Sequence, residues 1–149
     1  MQWFTVLMNI FFNSNKERDV RVPIRPTGTI GMSEASSILL DKLEEMGDGT
    51  AEIFLPDKDI KVYKKEDVSK AYELAEVSSI VYITEEHDCD DFAAKLYGKF
   101  AGLVWTNVHA LNWFIDEGNN FWFIEPQTGE MSKSLDRWQG YTVRFFVGR

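Results

Sequence analysis

The sequence predicts an α+β fold in which N-terminal helices pack on a C-terminal antiparallel sheet. Two segments, 33–46 and 65–77, place apolar residues at the spacing of one helix face. Farther along the chain, two apolar runs, 109–116 and 121–125, flank the turn sequence Glu117-Gly-Asn-Asn. Apolar runs around a Gly/Asn turn are typical of a β-hairpin. Helices therefore come first and the clearest strand pairing comes last, as in an α+β domain.

The length and charge of the chain limit its classes of partner. At 149 residues, the chain is expected to form a single domain, 1–149, with one sizeable core. Its formal charge of −8 excludes a nucleic-acid partner, because phosphate binding needs a basic surface. The single cysteine, Cys89, cannot form an internal disulfide, so no oxidising compartment is implied.

The N-terminal segment 3–12 is almost continuously apolar and is predicted to be a buried strand. It lacks the basic start and small-residue cleavage site of a signal peptide, and it is too short to span a bilayer. We therefore expect no membrane partner and a cytoplasmic or unassigned location, with membrane association of this segment kept as the alternative. The basic residues that follow are expected in a solvated loop: Lys16, Arg18, Arg21 and Arg25.

Shorter apolar segments predict additional strands. These lie at 51–55, 60–63, 79–84 and 103–108, and the segment 79–84 is either a strand or an extended lead-in. The prolines and glycine of the segment 21–28 exclude regular helix there.

Cys89 is predicted to lie in the first turn of a helix that runs to about Phe100. Asp88 is a good N-cap, and the helix dipole favours a thiolate at this position. Five carboxylates nearby oppose the thiolate: Glu85, Glu86, Asp88, Asp90 and Asp91. A hard divalent cation such as calcium would neutralise them, although Asp90 and Asp91 alone would also complement the helix dipole.

His109 and Glu125 follow Cys89 in the order needed for catalysis by a cysteine nucleophile. The imidazole takes the thiol proton and the carboxylate orients the imidazole. With a strict two-residue turn at Gly118-Asn119, His109 and Glu125 would lie on opposite faces of the hairpin. The hypothesis therefore requires a three- or five-residue loop or a bulge. His87 is a competing base because it is close to Cys89 in sequence. Residues so close together at a helix terminus point in different directions, however, so His87 is expected at the surface.

The segments around these residues resemble papain-like cysteine peptidases. The resembling motifs are Cys-Asp-Asp-Phe-Ala from Cys89, His-Ala-Leu-Asn from His109 and Glu-Pro-Gln from Glu125. They are similar to the calcium-dependent papain-like domain of a fungal lectin, the Marasmius oreades agglutinin, and to its bacterial and phage relatives. The resemblance covers roughly residues 80–149 and includes no galactose-binding repeat.

The resemblance implies a papain-like fold with Cys89 as nucleophile, His109 as base and Glu125 as its orienting partner. It also implies calcium, with Asp90, Asp91 and Gln127 as ligands. Papain-like enzymes usually carry a glutamine shortly before the cysteine, as a second oxyanion donor, and the segment 84–88 contains none.

The resulting prediction is a cysteine-dependent hydrolase, by default a peptidase acting on a peptide or protein. Two alternatives are kept. One is a transglutaminase-like enzyme or cell-wall amidase with the same triad. The other is a non-enzymatic phage or accessory protein that retains the fold. The aromatic residues Trp105, Trp113, Trp122 and Phe123 are assigned to the core rather than to a binding platform.

Overall fold

The computed structural model describes residues 24–47, 49–84, 88–136 and 141–149. These ranges contain three α-helices: α1 (Met32–Glu45), α2 (Lys65–Leu74) and α3 (Cys89–Tyr97). They also contain eight strands: β1 (Gly28–Gly31), β2 (Glu52–Phe54), β3 (Asp59–Tyr63), β4 (Gly102–Thr106), β5 (Ala110–Asp116), β6 (Phe121–Ile124), β7 (Met131–Ser132) and β8 (Val143–Val147). The α+β class is confirmed.

The strands form one mixed sheet rather than the predicted antiparallel one. The order is β1-β3-β5-β4-β8-β2, and β6 pairs with both β5 and β7. Two pairings are parallel, β2 with β8 and β3 with β5, and the others are antiparallel. The sheet is not C-terminal either, since it takes β1, β2 and β3 from the first half of the chain. Parallel pairs of this kind join distant segments, which local sequence patterns do not reveal.

Helices cover both faces of the sheet, because apolar side chains alternate along the central strand β5. Leu111, Trp113 and Ile115 join a core that includes Ala35 and Leu39 of α1. Phe114, on the other face, joins a second core with residues of α2 and α3, including Tyr72 and Leu96. β5 is buried on both faces, and it is the strand against which β3, β4 and β6 are placed.

The β5–β6 hairpin has the three-residue loop that the sequence argument required. Ile115 pairs with Phe121, and the N–H of Asp116 donates to the C=O of Asn120 at 2.9 Å. Asn119 takes a left-handed backbone (φ 61°), as expected for this kind of loop. The Asp116 carboxylate accepts hydrogen bonds from the backbone of Gly118 and Asn120 and from Trp122 Nε1. Burial alone would raise the pKa of Asp116, but these hydrogen bonds outweigh it and hold the pKa below its usual value.

Several local predictions differ from the structure. The segment 79–84 is not a strand: a 3-10 turn (Val77–Ser79) precedes it, and only an isolated bridge occurs at Ile83. The helix that begins at Cys89 ends at Tyr97 rather than Phe100. Strands β1, β7 and β8 were not predicted. The predicted N-terminal strand, the basic residues Lys16, Arg18 and Arg21, and Glu85, Glu86 and His87 lie outside the described residues. No helix in the described ranges is long and apolar enough to cross a membrane.

Candidate functional site

Cys89 is the first residue of α3, as predicted from Asp88. Asp88 is the N-cap, and its N–H donates to Asp91 Oδ2 at 3.3 Å in a reciprocal capping box. The buried residues of the helix, Phe92, Ala93 and Leu96, fix its position on the sheet. Asn112 of β5 strengthens this contact, since its side-chain amide donates to Ala93 O at 2.9 Å. The start of α3 is therefore held at a defined place beside β5.

The Cys89 thiol is half-buried against the first residue of β5. Burial raises the pKa of Cys89, and the charges of Asp88 and Asp90 raise it further. The backbone N–H groups of Ala110 and of Cys89 itself donate hydrogen bonds to the sulfur, and these lower the pKa. Their effect is smaller than the combined effect of burial and charge, so the pKa stays raised. The raised pKa keeps the group a neutral thiol at neutral pH, which is the weaker nucleophile.

His109 and Glu125 meet, as the sequence argument required of a catalytic pair. His109 Nε2 lies 2.8 Å from Glu125 Oε2, and their side chains are only 14% and 11% exposed. The other carboxylate oxygen, Oε1, accepts the backbone N–H of Gln127 at 3.2 Å. The structure thus brings the imidazole and carboxylate together, while the thiol lies at Ala110, the residue after His109.

Tyr141 completes this cluster and was missed by the sequence reasoning. Its ring lies 5.6 Å from the His109 ring, measured between centroids. Burial raises the pKa of Tyr141, and the negative charges of Glu125 and Cys89 add to the effect. A tyrosine far from every motif, two residues before the unpredicted strand β8, carries no sequence signal for such a role.

The acidic residues around Cys89 separate into two roles. Asp91 caps the helix. Asp88, Cys89 and Asp90 form a group of possible metal ligands, in which one ligand atom of each residue lies within 4.8 Å of the others. A hydrogen bond with the Asp88 carboxylate raises the pKa of Asp90, assisted by slight burial and by the charges of Asp88 and Asp91. Two neighbouring carboxylates suit a hard cation, but a thiol does not. Gln127 lies beyond β6, and its assignment as a ligand stays a prediction, as does that of Asp90 and Asp91.

The four aromatic residues assigned to the core divide into two pairs. Trp113 and Phe123 are buried, as predicted, but Trp105 and Trp122 are only half-buried. Trp105 stacks on Phe145 of β8, with ring centroids 5.9 Å apart and planes inclined by 17°. Phe54 of β2 meets the edge of the same Phe145 ring at 6.3 Å. We call Phe54, Trp105 and Phe145 the aromatic face.

Two solved structures share the fold of this chain. One is described as a PSL1a–E64 complex, with a TM-score of 0.68, and the other as Polyporus squamosus lectin bound to the human-type influenza-binding epitope Neu5Acα2-6Galβ1-4GlcNAc, with a TM-score of 0.65. Each is 24% identical to this chain, covers 80% of it, and is matched over about half of its own length (50% and 49%). No protein-family model and no curated protein matches the sequence.

The comparison corrects the predicted activity. The resemblance to a fungal lectin holds at the level of fold, and the Polyporus squamosus structure is described as a lectin, a sugar-binding class, rather than as a peptidase. The prediction of a cysteine-dependent hydrolase is therefore wrong, and its peptide substrate is unsupported. The alternatives tied to it, a transglutaminase-like or amidase enzyme and a phage accessory protein, are replaced as well. The order of side chains along the sequence does not report the ionisation of a thiol, which depends on burial and on neighbouring charges.

Proposed function

We propose that this domain binds carbohydrate through the aromatic face. The observation that carries the proposal is the half-exposed, nearly parallel pair of Trp105 and Phe145. The description of the Polyporus squamosus structure as a lectin with a bound glycan supports the same class of ligand.

The geometry of the sheet explains why these rings are available. Trp105 pairs directly with Phe145, and Glu52 pairs with Phe145 from the other side. Directly paired residues project from the same face of a sheet, so Trp105, Phe145 and Glu52 share one surface. The alternate residues Val104 and Phe146 are fully buried on the opposite face. Phe54, 51% exposed, extends the aromatic face to the edge of the sheet.

This surface suits a sugar ring for a chemical reason. A pyranose presents C–H groups on one side, and these carry the partial positive charge that packs well on the negative face of an aromatic ring. Its hydroxyls need polar partners around that platform, as in most small-molecule sites. Glu52, which pairs with Phe145, supplies an acceptor beside the aromatic face.

The test is a titration of the full chain with Neu5Acα2-6Galβ1-4GlcNAc and with the neutral disaccharide Galβ1-4GlcNAc. Indole N–H signals in NMR spectra separate the five tryptophans of the chain. We expect the Trp105 signal to move saturably and the signal of the buried Trp113 to stay in place. Trp105→Ala should weaken binding about tenfold, or about 1.4 kcal/mol.

Tyr82→Ala is the matched control, since Tyr82 is a 52% exposed aromatic residue outside the aromatic face. It should bind like the wild type. Glycan binding that survives Trp105→Ala would place the sugar elsewhere. A lack of response to either glycan, and to a wider glycan panel, would refute the proposed function.

We also propose that the arrangement of α3 against the β5–β6 hairpin is papain-like in fold, with Cys89, His109 and Glu125 as a polar ligand site rather than a peptidase centre. The helix start at Cys89 and the paired His109 and Glu125 support this. Calorimetry with E64, the compound named for the PSL1a complex, tests it. Binding by the wild type and not by Cys89→Ala would support the site, and equal heats would remove Cys89 from it.

Calcium is the cofactor we propose for the start of α3. The carboxylates of Asp88 and Asp90 fit a hard cation, and the cation would relieve the repulsion between their negative charges. Its contribution would be to fix the helix start beside the polar site, with Asp91 and Gln127 as the further predicted ligands.

A further inference from the structure

An apolar groove lies between α1 and the edge strand β2, on the face of the sheet opposite to the aromatic face. One part of it has a volume of about 430 Å³ and is lined by Met32, Ser36, Leu40, Ala51, Ile53 and Leu55. A second part, about 420 Å³, shares Leu40 and Ala51 with the first and continues to Glu44. The two parts therefore form one continuous α1–β2 groove. Leu40 at its centre is 57% exposed, which is unusual for a leucine facing an apolar groove.

The open edge of β2 borders this groove. Within the described ranges, β2 pairs on one side only, with β8. The C=O of Phe54 accepts the N–H of Gly148 at 2.7 Å, so the polar backbone groups of Phe54 face β8. Backbone groups alternate in direction along a strand, so those of Ile53 face the open edge. The side chain of Ile53 lines the groove.

The charges next to the groove are mainly negative. Glu44 lines it, Asp41 follows Leu40 on α1, and both are exposed. Glu52 is exposed on β2 and projects from the face of the sheet opposite to Ile53. Lys42 does not offset them, since its ammonium group is buried and hydrogen-bonded to Glu45 and to the C=O of Lys133.

We propose that the α1–β2 groove binds an extended peptide segment of a partner protein, with apolar side chains at alternate positions and basic ones between them. The segment would add a strand to the open edge of β2, using the N–H and C=O of Ile53. Its apolar side chains would enter the groove beside Leu40 and Ile53, and its basic side chains would point to the opposite face of the sheet, near Glu52. Strand addition of this kind takes its affinity from the backbone and its specificity from the alternate side chains. The residues that line the groove lie outside the aromatic face, but Glu52 borders both proposed sites.

The probe is the labelled peptide acetyl-KVKVKVK-amide, titrated with the full chain and followed by fluorescence anisotropy. The control peptide KKVVVKK has the same composition without the alternation, and EVEVEVE has the alternation with the opposite charge. We expect saturable binding of the first peptide and at least tenfold weaker binding of the other two. Glu52→Lys should shift the preference away from KVKVKVK and toward EVEVEVE.

Two variants separate the groove from the strand edge. Leu40→Glu places a charge in the groove at an exposed position, and Ile53→Pro removes the N–H at the open edge while leaving the bond from Gly148 to Phe54. Each should weaken binding of KVKVKVK at least tenfold, with circular dichroism showing that the fold is retained. Val81→Glu, at a 72% exposed position outside the groove, is the control and should bind like the wild type.

Several results would overturn the proposal. Equal binding of KVKVKVK and KKVVVKK would show attraction by charge alone, and full binding by Leu40→Glu would move the peptide out of the groove. Sedimentation that shows a dimer of the wild type, separated into monomers by Leu40→Glu, would assign the groove to a second copy of the chain. If Ile53→Pro unfolds, the results for Leu40→Glu and the control peptide still decide the question.

Discussion

Nε2 of His109 lies 2.8 Å from Oε2 of Glu125, and the length of the hairpin loop makes this contact possible. With the observed pairing of Asn112 and Ile124, Glu125 falls on the same face as His109. A loop one residue shorter would move Glu125 to the opposite face. Asn119 in its left-handed conformation and the hydrogen bonds to Asp116 hold the loop at three residues.

The contact makes a prediction about stability. Glu125→Ala leaves the His109 ring and the N–H of Gln127 without their acceptor in a nearly buried place, so it should cost about 1–3 kcal/mol of unfolding free energy. Glu125→Gln keeps an acceptor and should cost less. Urea denaturation measures both. Glu117→Ala, at an exposed loop position, is the control, and a loss as large there would show that the effect is not specific to the pair.

The environment of Cys89 predicts a slow thiol. Because burial and the charges of Asp88 and Asp90 raise its pKa, the alkylation rate with iodoacetamide should rise with a midpoint above the ~8.5 of a free cysteine. Asp90→Asn should shift the midpoint downward, since it removes one negative charge. The folded state holds the proton more tightly than the unfolded state, so this group's contribution to stability is full below the unfolded pKa and is lost as pH rises through the folded pKa. A midpoint below 8.5 in the wild type would contradict this account.

Gly102 is predicted to be intolerant of any side chain. A Cβ at this position would lie 2.3 Å from Cε2 of Trp113, whose indole N–H donates to the backbone oxygens of Leu103 and Val147. Gly102→Ala should therefore destabilise the domain by about 1–3 kcal/mol through overpacking. Gly31→Ala, where a Cβ meets nothing within 4 Å, is the matched control and should change little. Thermal denaturation of both variants compares them directly.

Calcium should stabilise the folded chain if Asp88 and Asp90 bind it. We expect millimolar calcium to raise the melting temperature, through binding to the folded form, and magnesium to be a poorer substitute. The effect should weaken as pH falls, because protons compete for the same carboxylates. Asp90→Asn should abolish most of the shift, while Asp67→Asn, in the first turn of α2, should leave it intact. A calorimetric titration without heat would remove calcium from the site.

The sequence predicted the parts of this structure that depend on neighbouring residues. The N-cap Asp88, the helix start at Cys89 and the β5–β6 hairpin all carry local signals, and all three are found. The mixed sheet could not be predicted in this way, because β2 pairs with β8 across most of the chain. Trp105 and Trp113 illustrate the same limit. Both lie on strands, but Trp113 is buried in the core that includes residues of α1, whereas Trp105 is half-buried. The sequence around each tryptophan does not show which of the two is covered.

The site chemistry was less accessible than the fold. Thiol, imidazole and carboxylate occur in a suggestive order, but whether Cys89 is ionised depends on burial and on the charges of Asp88 and Asp90. Tyr141 lies near His109 through a strand that the sequence did not predict. The aromatic face also depends on β8, which supplies Phe145 between Trp105 and Phe54.

The place of β8 in the sheet has a consequence for how the chain acquires its structure during synthesis. β8 lies between β4 and β2, so β2 waits for its partner until the end of this sequence has emerged from the ribosome. At about 5–20 residues per second, the apolar wall formed by Ile53 and its neighbours stays unpaired for several seconds. During that interval the nascent chain exposes a strand that other unfinished copies can pair with. A stalled or prematurely ended translation product that lacks β8 should therefore aggregate, whereas in a chain that includes β8 one edge of β2 is paired.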